Sequence, residues 1–153
     1  MTSKPIAFAF AMVAAAAMGG AAPAQDVPRV YDYGPVIEVT DLLVEPGKLR
    51  AYMAYLNGPW RKAFEDEKRR GDVLDYRVYA PIDGKRSEGN LQLVITYRGA
   101  GVWDTPLDEQ DRRTAHNRAA SGANDEQAAA AAKMRTILGT RLFRELKFNG
   151  PPK

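Results

Sequence analysis

The stretch from Lys48 to Val78 constrains the fold most. After Pro46-Gly47, apolar or aromatic side chains fall at Leu49, Tyr52, Met53, Leu56, Trp60, Ala63 and Phe64. Steps of three and four put them on one face of a 3.6-residue helix, and charged residues fill the other. Gly71 stands where a left-handed C-terminal cap is wanted, with Lys68, Arg69 and Arg70 against the negative end of the dipole. Gly58-Pro59 interrupts the run. Pro59 has no N–H to donate to the Tyr55 carbonyl, so a kink or two abutting helices is expected there. Beyond Gly71 the period becomes two, as in a strand. Leu74, Tyr76 and Val78 point one way; Val73, Asp75, Arg77 and Tyr79 point the other.

Residues 1–24 read as a targeting segment. Lys4 supplies a positive start, Ile6 to Met18 is an uncharged apolar run, and Ala22-Pro23-Ala24 is a small-x-small cleavage site. The run is too short and too alanine-rich to span about 30 Å of hydrocarbon, so no membrane anchor is expected after cleavage. The compartment implied is periplasmic or extracellular. Removing residues 1–24 from the 153 leaves 129, enough for one domain with a core. Lys4 leaves with the signal, so 21 basic residues face 19 acidic ones. They interleave, and no basic stripe joins exposed aromatics, which argues against a nucleic-acid partner. There is no cysteine, so packing rather than disulfides must hold the domain.

The remaining elements follow in order. Residues 25–35 read as an extended leader and Val36–Val44 as a strand. Pro81–Asn90 is a polar loop, and Leu91–Tyr97 is a strand with Leu91, Leu93, Ile95 and Tyr97 on its apolar face. Thr105-Pro106 looks like a helix start, with the threonine hydroxyl as cap and Asp108 and Glu109 in the first turn. Arg112 and Arg113 sit four residues beyond those acids. This helix has little apolar face and belongs on the surface, and Ser121-Gly122 ends it. Asn124 with Gln127 predicts a capping box for a second helix running through Met134, Ile137 and Leu138 to Gly139. Arg141–Phe148 reads as the last strand, and residues 149–153 as a flexible tail.

Strand, helix, strand, strand, helix, strand suits a four-stranded antiparallel sheet with both main helices on one face. The opposite face would carry Val73, Asp75, Arg77 and Tyr79 with Gln92, Val94 and Thr96. That surface is too apolar to be wholly wet and too polar for a closed core. A second copy facing it across a partly polar cavity resolves the conflict, so a homodimer is expected.

With these elements in place, the chain resembles the dimeric α+β barrel superfamily, a ferredoxin-like βαββαβ group that includes NIPSNAP-like proteins, stress-responsive barrel proteins and antibiotic-biosynthesis-type monooxygenases. The likeness is carried by Val39–Gly47, the helix through Tyr52, Tyr55 and Trp60, Gly71–Tyr79, Leu93–Tyr97 and the closing Ile137–Leu146 segment. The Tyr31-Asp32-Tyr33-Gly34-Pro35 start resembles that of uncharacterised exported bacterial proteins. The superfamily hosts oxygenases, haem-degrading enzymes, isomerases and proteins of no known activity, so the fold does not choose among functions. In its haem-degrading members a histidine on the second helix binds iron, with a tryptophan after the third strand and an asparagine on the first. Trp103 and His116 stand in that order here, while the first strand offers Glu38 and Thr40 in place of asparagine.

Two functional expectations result. The first is an exported protein, without evident catalytic motif or cofactor, that binds a small, partly apolar ligand. Arg77 would be its polar anchor, and Tyr79, Gln92 and Thr96 would line the same face. The competing reading of Arg77 is a structural ion pair with Asp75, Glu38 or a partner carboxylate, and Arg144 carries the same ambiguity. The second is a cofactor-independent monooxygenase or haem-handling enzyme using Trp103 and His116. Against it, His116 lies beside Asn117 and Arg118 on a polar helix, as a solvated residue would. A single histidine makes no typical zinc site, and no metal is expected. Tyr52, Tyr55 and Trp60 have the spacing of core packing. No serine has a histidine partner at readable spacing, and no phosphate loop or dinucleotide fingerprint is present.

Overall fold

Val36, Leu42 and Val44 lie buried along one side of strand β1 (Tyr31–Val44), and the sheet extends outward from them. The computed structural model describes residues 28–83 and 85–151. The expected signal segment, residues 25–27 of the leader and the last two residues of the tail lie outside the described residues. β1 pairs antiparallel with β3 (Leu91–Tyr97) on one side and with β4 (Arg135–Phe148) on the other; β2 (Val73–Tyr79) pairs with the far side of β3. The order is β2-β3-β1-β4. With helices after β1 and β3, this is the split βαβ arrangement. The fold is ferredoxin-like α+β, as expected. The leader joins the sheet at Tyr31, because Tyr31, Asp32 and Tyr33 pair with Phe148, Lys147 and Leu146.

The organising stretch forms α1 (Leu49–Tyr55), a π-helical turn (Leu56–Trp60) and α2 (Arg61–Arg70). The chain absorbs Pro59 without leaving the helix. One extra residue per turn lets the Arg61 N–H reach the Leu56 carbonyl, five residues back. Gly71 caps α2 in the left-handed region at φ 82°, and its N–H and that of Asp72 take the Lys68 and Glu67 carbonyls. Tyr52 and Leu56 enter the core with Leu42, Val44, Leu91 and Ala131, and Trp60, Val78, Leu93 and Met134 pack around them. The connection into β3 is anchored on the end of β1. The Asn90 side chain brackets Val44: Oδ1 accepts from its N–H at 2.8 Å and Nδ2 donates to its carbonyl at 2.9 Å. Gly89, at φ 95°, comes so close that a Cβ would meet the Leu42 carbonyl oxygen at 2.7 Å.

Three local expectations are corrected. In β2 a register shift between Val73 and Asp75 makes Leu74 a bulge residue. Val73, 2% exposed, therefore takes the helix-side position, and Leu74 is 41% exposed. The helix opened by the Asn124–Gln127 capping box, α4 (Asp125–Ala132), stops before Met134. Arg135, Thr136 and Ile137 pair with Val44, Leu43 and Leu42, so the segment expected to end that helix instead starts β4. Finally, α3 (Leu107–Ser121) takes Pro106 as its N-cap without a side-chain hydrogen bond. The Thr105 hydroxyl, expected to cap it, is buried and without a partner among the described residues. The Asp108–Arg112 and Glu109–Arg113 pairs form at 2.8 and 3.2 Å.

Candidate functional site

Strand register decides what shares a surface. Arg77 lies opposite Val94, Tyr79 opposite Gln92, and Asp75 opposite Thr96; Thr96, Val94 and Gln92 lie opposite Ile37, Val39 and Asp41. Arg77, Tyr79, Gln92 and Thr96 therefore share the sheet face that the helices leave open, as the alternation beyond the β2 bulge requires. Apolar Ile37, Val39 and Val94 lie among them.

The polar groups on this face gather in two places. On β2, the Arg77 Nε donates to Asp75 Oδ2 at 2.7 Å, and Lys68 reaches Asp75 at 3.7 Å from α2. The Arg77 guanidinium holds the Asp75 carboxyl below the usual carboxylate range. The Arg77 side chain remains 65% exposed, so a second acceptor has access to it. The second centre is Asp41, whose side chain is 16% exposed. Gln92 Nε2 donates to one carboxylate oxygen at 2.7 Å and Arg141 Nη2 to the other at 3.0 Å. Beside it opens a cleft of about 560 Å³, lined by Ser87, Glu88, Gln92, Leu138 and Arg141 with Asp41. Asp41 and Arg141 extend the set that the sequence suggested. Asp41 is signalled by being the only charged side chain pointing to that face of β1 between Ile37 and Leu43.

A different cluster lies on the helix side. Glu38 shares the face of Val36 and Leu42, so it cannot serve Arg77 within the chain. Tyr97 neighbours it on that face, and burial pushes the Glu38 carboxyl up from its ordinary range. Burial, then the charges of Glu38 and Glu67, push the Tyr97 phenol strongly up as well. Trp103, 40% exposed, meets Tyr97 edge-on with ring centroids 4.8 Å apart. Tyr97 and Glu67 were not singled out in the sequence. The available signal was Glu38 itself, an acid on an otherwise apolar strand face.

His116 belongs to neither group. From α3 its Nε2 bonds Asp66 Oδ2 on α2 at 2.7 Å, and its side chain is 55% exposed. Trp103 and His116 are thus engaged by different partners, Tyr97 and Asp66. With Nε2 committed to the Asp66 carboxylate, Nδ1 is the ring nitrogen left to take a ligand. Arg144 lies over the Tyr33 ring at 5.0 Å. Among the described residues no group of three or more histidine, cysteine or acidic side chains is arranged to hold a metal ion.

No protein-family model and no curated protein matches the chain. Among solved structures, it is similar to a dimeric ferredoxin-like protein from an uncultured marine organism. That likeness has 6% identity and a TM-score of 0.47, over 80% of this chain and 94% of the other. It is also similar to a NIPSNAP family protein of unknown function from Agrobacterium tumefaciens, at 13% identity and a TM-score of 0.39, over 78% of this chain and 93% of the other. Both are of the kinds that the sequence resemblance names. The fold assignment itself rests on the strand order.

Proposed function

We propose that this is an exported protein that works as a homodimer and binds a small, partly apolar ligand between two open sheet faces. The observation that carries the reading is the uncovered side of the sheet together with edge strand β4. Along β4, Ile137, Leu138, Leu142, Phe143, Leu146 and Phe148 are 41–84% exposed. A long apolar edge strand left in water is a pairing and aggregation hazard, and a second copy removes it. Arg77, Tyr79, Gln92 and Thr96 would give the enclosed space its polar contacts, with a carboxylate or enolate oxygen as the natural partner of Arg77. Export rests on Lys4, the Ile6–Met18 run and the Ala22-Pro23-Ala24 site, cut after Ala24. Native mass spectrometry of the mature protein, recovered from its own periplasm, tests this. The expected result is a dimer carrying a co-purified small mass; a clean monomer overturns it.

A second reading, a cofactor-independent monooxygenase or haem-handling enzyme, draws support from one place. The Glu38–Tyr97 pair, with Trp103 against it, is a half-buried acid of raised pKa next to an aromatic wall, the setting in which proton-transferring carboxyls are found. Turnover lost in Glu38→Gln or His116→Ala while the dimer persists, or a shifted Soret band on haem addition, would favour it over the simple binder.

A further inference from the structure

A third surface lies away from the open sheet face. Where α2 ends and β3 runs out, a cleft of about 430 Å³ is lined by Arg70, Asp72, Arg98 and Arg113 over a floor that includes Gly99 and Gly101. Three guanidiniums face one carboxylate. Arg70 is fixed at its far side by Asp66 and by Asn117 Oδ1 at 2.8 Å, and Arg113 by Glu109 at 3.2 Å. Their contacts with Asp72, at 3.5 and 3.6 Å, are long, so Asp72 only loosely occupies them.

Arg98 differs from both. Among the described residues no carboxylate lies within 4 Å of it and its side chain makes no hydrogen bond, whereas Arg70 bonds Asp66, Asp72 and Asn117 and Arg113 bonds Glu109. Its Nη2 lies 3.0 Å from where a Cβ on Gly71 would stand, so Gly71 serves both the left-handed cap and the placement of this guanidinium. A Cβ at Gly99 or Gly101 would meet nothing within 4 Å, so the glycine floor leaves open space beside Arg98. The negative end of the α2 dipole, about half a charge, opposes an anion here. The final carbonyls of α2 are already taken by the Gly71 and Asp72 N–H groups, and Arg98 adds a guanidinium that has no carboxylate partner among the described residues.

We propose that this cleft binds a small oxyanion, a carboxylate or a phosphate, with Arg98 as principal donor and Arg70 and Arg113 as flanking cations. A guanidinium fork matches two oxygens of either group, and the bare glycine floor lets the anion approach the backbone. The site stands apart from the ligand space proposed between the open faces.

Calorimetric titration of the mature protein with inorganic phosphate, and separately with succinate, at constant ionic strength tests the proposal. Saturable binding of at least one is expected, and which one binds identifies the source of the anion. Arg98→Ala, at an exposed position that should leave the melting temperature nearly unchanged, is expected to weaken it about tenfold or more, the loss of one charge-assisted contact. Arg98→Lys should keep only part of the affinity, and Gly101→Glu, which puts a carboxylate into the cleft, should abolish it. Absence of saturable binding by either anion, or equal binding by the native protein and Arg98→Ala, overturns the proposal.

Discussion

The arm formed by α1, the π-helical turn and α2 meets the sheet through Tyr52 and Leu56, 1% and 2% exposed. α3 instead meets α2 through amides, guanidiniums and an imidazole, and buries no residue. Asn117 Nδ2 donates to Glu67 at 2.6 Å while Asn117 Oδ1 accepts from Arg70; Arg113 reaches Asp72, and His116 reaches Asp66. The first attachment draws on apolar area removed from water, which is non-directional and large in sum. The second draws on exchanged hydrogen bonds, each worth about 1 kcal/mol net. The arm therefore belongs to the global folding unit, whereas α3 can open by itself at lower free energy.

The largest effect should come from the apolar side. Leu56→Ala removes a side chain at the centre of the core cluster and should cost about 2–5 kcal/mol in denaturant unfolding. A cost under about 1 kcal/mol would mean that the arm is not held by its buried face. Asn117→Ala tests the polar side. It deletes the donor to Glu67, whose carboxyl is already pushed up by burial, and should cost about 1–2 kcal/mol. Hydrogen exchange should rise in α3 while α1 and α2 keep their protection. An equal rise in all three helices would erase the distinction between the two attachments.

Glu38→Gln sharpens the comparison by moving inside the helix-covered face. The folded carboxyl titrates above its ordinary value of about 4.5 because burial disfavours the charge. The folded state then binds more protons than the unfolded one between those two values, so stability falls as pH rises through that window. Glutamine removes the cost. The variant should be more stable than the native protein at pH 7, with the advantage shrinking as pH drops towards about 4.5 and gone below it. Thermal melts across that range measure it, and a variant less stable at pH 7 would show that the interactions of the charged carboxylate with its neighbours outweigh burial.

The apolar attachment was legible in the sequence and the polar one was not, for a physical reason. The spacing from Leu49 to Phe64 and the stop at Gly71 are local, so periodicity and cap chemistry predict the arm. The Asn124–Gln127 box is local too, and it forms. What failed depends on partners far along the chain. The bulge at Leu74 is set by pairing with β3, and the switch from α4 to β4 is set by β1, which takes Arg135 to Ile137 as strand. The gathering of Arg77, Tyr79, Gln92 and Thr96 on one face was readable, because alternation is local once the phase is known. The Gln92–Asp41–Arg141 contacts and the Glu38–Tyr97 pair were not, since cross-strand neighbours follow from register alone. Asn117, His116 and Arg113 follow no apolar period, so nothing in their spacing announces the helix they hold.

The smallest stability change of the series should be that of His116→Ala, and it is the most informative about function. Asp66 is held below its ordinary range first by Arg69, then by His116 and Arg70, so losing the imidazole leaves two guanidiniums in place. A carboxyl depressed in the folded state contributes stability above its unfolded value, about 3.8, and loses it as pH falls through the folded one. The variant should therefore melt slightly below the native protein at neutral pH, and the two curves should converge under acid, where Asp66 is protonated and the pair is gone. A loss larger than that of Asn117→Ala would make His116 the main tether of α3. A near-silent melt combined with lost turnover on any substrate would move the imidazole from tether to chemistry, and with it the choice from binder to enzyme.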